Sequence, residues 1–371
     1  MRTSLTQLKT NFINGVLRFL WRQWSQLGVA GEVEFRDRWL IDPEALLFFT
    51  LEMGRYDPRL FDEVLDWCLR NGRWLSIQRL KNIACDLPTP TQQLAVLAGF
   101  AEFMSEREGT SRWRALTSIS GAHSDPAFPL FLNPEGGYLP ILSATEPTFA
   151  KHAVQRPPVR IRGMSRPVPM DVSTNLLFKF RALFGLGARP EVIVYLLRHS
   201  EGYPSEIARA THYAQSSVAV ILDDLAQSKT ISVRELNNMQ LYHIDKTAWS
   251  GFLRIVAGKP RWIDWDPVLT GLSAVNYFLA EDELQQASQY ILQSRARSLW
   301  EDLTRLLSGT GFVILPAVPT IGAALLPAGP NPLESIIVRL IRALNSRPRG
   351  MPLTPQPVVP RAVKRPFSGL R

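Results

Sequence analysis

The feature that most constrains this chain is a change of hydrophobic period at Lys229. Upstream, Val192, Ile193, Tyr195, Leu196 and Leu197 share one helical face, Ile207 and Ala208 a second, and Val218, Ile221, Leu222 and Leu225 a third. Downstream, Ile231 and Val233, then Leu241, His243 and Asp245, alternate on either side of Glu235-Leu236-Asn237-Asn238. A helix repeats its faces every 3.6 residues and a strand every two, so residues 190–245 predict a helix, a short helix, a helix and a β-hairpin. Pro190 and Glu191 open the first helix and residues 199–202 end it. Pro204 opens the second, over 205–211. The turn His212-Tyr213-Ala214 follows, and Gln215-Ser216-Ser217 opens the third, with Ser216 as the expected N-cap.

The string PSEIARATHYAQSSVAVILDDLAQSKTISVRE within this segment resembles the winged helix-turn-helix superfamily, in the manner of the MarR and ArsR transcription regulators. Ser205-Glu206-Ile207-Ala208 stands where such proteins brace the recognition helix, and Gln215-Ser216-Ser217-Val218 where they begin it. The resemblance covers about 60 residues, a sixth of the chain. It implies a recognition helix in the major groove and a hairpin at the flanking backbone. Gln215, Ser216 and Ser217 then face base edges, while Lys229, Arg234, Asn237 and Asn238 lie around the wing, at phosphate or minor-groove contacts. One departure matters. Where the family often carries polar or basic residues, this helix has Ala219, Val220, Asp223 and Asp224, and two adjacent acids repel phosphates. Those four residues support an alternative, a degenerate module that docks a protein partner.

Charge is concentrated rather than spread. Of a formal +9, residues 151–170 supply Lys151, Arg156, Arg160, Arg162 and Arg166 without an acid, and residues 345–371 supply Arg347, Arg349, Arg361, Lys364, Arg365 and Arg371 without an acid. Both tracts are proline-rich and are expected to be exposed. Such tracts grip polyanions without sequence preference, or merely solubilise; both readings stand open.

The fold class expected is mainly α with a small β wing, multi-domain, containing the winged helix-turn-helix. The expected divisions are a helical domain over 1–120, a Pro-rich strap and basic linker over 121–170, the winged helix domain over 171–256, a C-terminal helical region over 257–345, and a basic disordered tail over 346–371. In the first, Leu5, Leu8, Phe12, Val16, Leu20, Trp24 and Leu27 predict an amphipathic helix rather than an export signal, because Lys9, Arg18, Arg22 and Gln23 interrupt the apolar run. An extended piece is expected over 32–40. Asp42-Pro43 and Asp57-Pro58 each predict an N-cap followed by proline at the first helical position, with helices also over 75–84 and 91–105. A loose echo of the 190–226 pattern raises a divergent second helix-turn-helix, with Ser76, Gln78, Arg79 and Lys81 exposed, although an ordinary helical hairpin explains it more simply. Later helices are expected over 274–280, 282–306 and 333–344. The uncharged stretch between the last two is broken by five prolines and reads as an irregular connection, not a membrane span.

Site chemistry is sparse. The five histidines fall singly, and Cys68 and Cys85 read as reduced, partly buried thiols. No phosphate-cradling glycine loop and no nucleophile elbow occurs. The expectation is therefore a cytoplasmic protein that is not an enzyme, needs no cofactor or metal, and does not enter a membrane. Its expected partner is double-stranded DNA, with a homodimer and a protein partner left open.

Overall fold

The computed structural model describes residues 4–31, 39–121, 126–142, 144–236, 239–253, 261–312 and 332–346. They form a mainly helical chain with two small sheets. Five helices lead: α1 (Leu5–Gln26), α2 (Pro43–Met53), α3 (Pro58–Asn71), α4 (Ile77–Asp86) and α5 (Thr91–Glu108). Asp42 and Asp57 accept backbone N–H bonds at the starts of α2 and α3, and Ser76 does so for α4, which satisfies donors that a helix start leaves without a partner. The short helix α6 (Arg114–Thr117) follows. Strand β1 (Phe128–Pro129), helix α7 (Pro147–Ala150) and strand β2 (Val154–Gln155) then form a strap, with β1 and β2 pairing in parallel.

The middle of the chain contains α8 (Leu176–Phe184), α9 (Ala188–His199), β3 (Glu201–Gly202), α10 (Pro204–Thr211), α11 (Gln215–Gln227), β4 (Ile231–Leu236), β5 (Met239–Ile244) and α12 (Lys246–Leu253). The end brings α13 (Trp265–Ala280), α14 (Asp282–Gln286), α15 (Gln289–Leu307) and α16 (Pro332–Asn345). A single helix over 282–306 is not what forms. The chain is extended at Ala287 and Ser288, and the Ser288 hydroxyl caps α15 by accepting from the Ile291 amide. The helix expected over 274–280 starts nine residues earlier, at Trp265.

Two hydrophobic clusters organise these elements. The larger is threaded by α1, whose Phe12, Ile13, Val16, Leu20 and Trp24 are fully buried against α2, α13 and α16. The first and last helical regions thus share one core. Gly15 lets α1 and α16 approach closely, since a Cβ there would lie 2.7 Å from Ile341 Cγ1. Arg22 donates to the Leu344 carbonyl (2.6 Å) and Asn345 to the Gly15 carbonyl (3.0 Å), which fixes the two helices in register. The smaller cluster joins Phe180, Val192, Ile193, Leu196, Ile207, Val218, Leu222, Leu225, Tyr242 and Ile244. None of the described helices is long and apolar enough to cross a membrane.

The basic tract over 151–170 is exposed at Lys151, Arg160, Arg162 and Arg166 but tied down along its length, with Arg156 buried. Part of it lies along α3, whose acids pair with two of its five cations. Arg156 is 1% exposed, pairs with Asp62 at 2.6 Å, and sits over the rings of Phe61, Phe131 and Phe149. Arg162 pairs with Glu63 at 3.2 Å, and Asp66 accepts from the Gly163 and Ser165 amides at 2.7 and 3.0 Å. Lys151 pairs with Glu102 and Glu106, each at 2.7 Å. The exposure that a divergent second helix-turn-helix would require on α4 also fails in part. Gln78 is exposed, but Ser76 and Arg79 are buried. Cys68 is buried and Cys85 exposed, both as free thiols. The expected extended piece over 32–40 falls largely, and the connection over 313–331 and the tail from 347 wholly, outside the described residues.

Candidate nucleic-acid interface

The element order expected over 190–245 is present: α9, α10, the turn 212–214, α11, and the hairpin of β4 and β5. Their register runs from Ile231 opposite Ile244 to Leu236 opposite Met239. A strand the sequence reading missed, β3, pairs Glu201 with His243 and Gly202 with Tyr242, making a three-stranded sheet in the order β3-β5-β4. A two-residue strand leaves no periodicity to read. Gly202 marks the spot, because a Cβ there would meet Tyr195 at 2.9 Å.

Helix α11 begins two residues earlier than a Ser216 cap allows. Ala214 takes the extended conformation of an N-cap and lends no side chain, so Gln215, Ser216 and Ser217 form the first helical turn, all three exposed. That turn presents backbone N–H groups and three neutral polar side chains to solvent. Val218, Leu222 and Leu225 face the core. Val220 is 61% exposed, and Ala219 is half-buried.

Gln215 and Arg234 come together. They line one groove with Tyr203, Ser205, Val233 and Met239, between the start of α11 and the hairpin. Arg234 pairs across the sheet with Glu201 at 2.9 Å, both side chains exposed. Lys229, in the left-handed conformation at the end of α11 (φ 57°), is exposed, but neither it nor Ser216 nor Ser217 lines the groove. Asn237 and Asn238 lie outside the described residues. The two acids of α11 have partners within the unit. Asp224 pairs with Arg189 at 2.7 Å, and Asp223 accepts the Tyr242 hydroxyl at 2.6 Å. Burial, with the Asp223 carboxylate beside it, pushes the Tyr242 hydroxyl up to about 12. Residues 188–245 nevertheless carry five Lys and Arg against seven Asp and Glu.

Beneath α10 lies a buried charged seam that the sequence did not announce. Arg79 donates to Asp42 (2.5 and 2.6 Å), to Glu44 (2.8 Å) and to the Thr211 carbonyl (2.8 Å). Arg181 donates to both Glu44 oxygens (2.7 and 2.8 Å), to the Trp74 carbonyl and to Glu191. Burial alone would raise the Asp42 carboxyl, but the Arg79 guanidinium outweighs it and holds Asp42 down to about 2. Burial dominates at Glu191 and raises it, despite Arg181. At the turn, His212 takes the left-handed conformation, with Nδ1 2.8 Å from Asp86 and Nε2 2.7 Å from Asp266. Burial works against its charge, but hydrogen bonding to Asp266, with Asp86 adding to it, keeps the imidazole above its usual value. The seam and this histidine fix α10, and hence α11, to the helical body. Among the described residues no group of three or more His, Cys, Asp or Glu is placed to hold a metal ion. No family model, no curated protein and no solved structure matches the chain.

Proposed function

We propose that the chain is a DNA-associated regulator in which residues 188–245 act as a winged helix-turn-helix, with α11 entering the major groove and the β4–β5 hairpin meeting the flanking backbone. The observation that carries this reading is the open first turn of α11. Gln215, Ser216 and Ser217 are exposed there, Arg234 stands across the groove, and Asp223 and Asp224 are engaged inside the unit. Gln is suited to bidentate contact with adenine, and Ser to either base class. The unit itself offers few cations, and in the 151–170 tract Arg156 and Arg162 are taken up by α3 and Lys151 by α5. Backbone grip therefore falls to Lys229, Arg234 and the six cations of residues 345–371. The regulator reading places the protein in the cytoplasm.

The test is a titration of fluorescent duplex DNA with the full chain, with a chain ending at 346, and with Arg234→Ala, at two salt concentrations. Removing the tail weakens binding to all sequences alike and flattens the salt dependence, and Arg234→Ala weakens it evenly by a smaller factor. Unchanged affinity and slope in both would remove the backbone contacts from the reading.

A second reading, a degenerate module that docks a protein, is favoured by the exposure of Val220, Val233, Leu236 and Met239 on a unit with more acids than bases. It predicts no DNA effect from any substitution. It also predicts loss of a co-purifying protein when Asp223 and Asp224 are changed to Asn, a change that in the DNA reading leaves binding equal or tighter.

A further inference from the structure

Between α2, α13 and the chain entering α5 lies a cavity of about 300 Å³. Its wall is made chiefly by Phe48, Phe49, Leu87, Leu269 and Ala274, and Glu52 contributes the charge. Glu52 is 6% exposed. Its Oε2 accepts from the Ser273 hydroxyl at 2.5 Å and its Oε1 from the Asn276 amide at 3.1 Å. Neither donor is a cation, and Arg55 is the one cation that acts electrostatically on this carboxylate among the described residues. Arg55, the nearest candidate, is turned elsewhere, donating to the Leu130 carbonyl at 2.9 Å and to Gln92. The other titratable groups facing Glu52 are Tyr56 and Tyr277, both neutral phenols held above their usual value by burial.

An ionised carboxylate in an apolar wall is costly unless a cation meets it. The seam shows one way this protein meets that requirement, with Arg79 and Arg181 set among Asp42, Glu44 and Glu191. At Glu52 no cation is in contact, Arg55 acts on it only from a distance, and space for a small molecule lies beside it. We propose that this cavity binds a small apolar primary amine, its ammonium on the Glu52 carboxylate and its hydrocarbon part against Phe48, Phe49 and Leu269. An anion would face repulsion, and a neutral isostere would leave the carboxylate uncompensated. The ligand binds the ionised form, and burial holds Glu52 up to about 7, so affinity rises with pH toward 7 and levels off above it.

The position gives the site a consequence. Leu87, Pro88 and Thr270 line both this cavity and the larger cleft that holds His212, Asp86 and Asp266. The ligand is thus one wall away from the turn that sets α11. Resting on the regulator reading, it is an effector whose occupancy reports to the DNA-facing helix.

Binding is tested apart from DNA, by calorimetric titration of the full chain with butylamine, hexylamine, octylamine and 2-phenylethylamine, each beside the alcohol of the same skeleton. The proposal expects at least one amine to bind at pH 8 and its alcohol at least tenfold more weakly. Amine affinity should fall roughly tenfold for each pH unit below about 7. It should be lost in Glu52→Gln, which keeps the shape, and in Ala274→Met, which keeps the carboxylate but fills the cavity. No binding by any amine, equal binding by the alcohols, or undiminished binding in Glu52→Gln overturns it. An amine that binds as expected without changing DNA affinity leaves the site standing and removes only the effector role.

Discussion

In the seam beneath α10, Arg79 and Arg181 are 2% and 0% exposed, and each is gripped by two carboxylates. On the outer face of the same unit, Arg234 and Glu201 pair at 62% and 46% exposure. The residue types are the same, and their physical situations are opposite. Water screens the outer pair, so it contributes little to stability and its arginine is free to exchange Glu201 for a phosphate. The inner arginines have no water to return to. If one is lost, carboxylates are stranded in a low-dielectric core. Burial thus decides whether a charge is fixed within the fold or left free at the surface, and counting basic residues does not separate the two.

The largest effect should come from the inner set. Arg181→Ala leaves Glu44 and Glu191 facing each other without their shared cation, and should cost about 3–5 kcal/mol in urea unfolding. A loss under about 1 kcal/mol would break the comparison. Next is Glu52, a buried acid with no arginine in contact. Its unfolded value is near 4.5 and its folded value about 7, so the folded state binds the proton more tightly. Stability then falls as pH rises from 4.5 through 7, by up to about 3 kcal/mol. Glu52→Gln should be nearly neutral at pH 4 and stabilising at pH 8, and an equal effect at both would contradict the assignment.

His212 stands between the two extremes. Its imidazole is raised above the unfolded value by carboxylates, so the stability it adds is fully present below that unfolded value. It is lost as pH rises through the folded one. His212→Asn, which tolerates the left-handed backbone, should cost roughly 1–2 kcal/mol in mildly acidic buffer and progressively less toward alkaline pH. A pH-independent cost would mean that only packing was lost. The smallest change belongs to the outer pair. Arg234→Ala should alter stability by about 0.5 kcal/mol or less while weakening DNA binding, and a large loss of stability would place Arg234 with the architecture.

What the sequence made legible was local. Asp42-Pro43 and Asp57-Pro58 announced their helices because cap and proline act within four residues. The alternation after Lys229 marked the strands, but not the inward face of the second one: Tyr242 and Ile244 join the core, whereas His243 and Asp245 are exposed. What stayed hidden was long-range. Arg156 meets Asp62 from 94 residues away and Arg181 meets Glu44 from 137, so neither arginine's burial was visible in its neighbours. The exposure of Arg79 that a second helix-turn-helix would need is absent, because Asp42 and Glu44, 37 and 35 residues away, bury it. Of the candidate site, the exposure of Gln215, Ser216 and Ser217 was legible. The partners that occupy Asp223 and Asp224 were not, since Tyr242 and Arg189 come from a strand and a helix on opposite sides in sequence.

The most direct test of the regulator reading is the ratio of affinities for the protein's own promoter duplex and a scrambled duplex, measured for the wild type and for Gln215→Ala/Ser217→Ala at two salt concentrations. The account predicts that the wild type prefers the promoter and that both sequences weaken with salt. The double variant should lose tenfold or more of the preference, about 1–3 kcal/mol per contact, while keeping its salt-sensitive binding to the scrambled duplex. A wild type that binds neither duplex at the lower salt, or a variant whose ratio is unchanged, contradicts it.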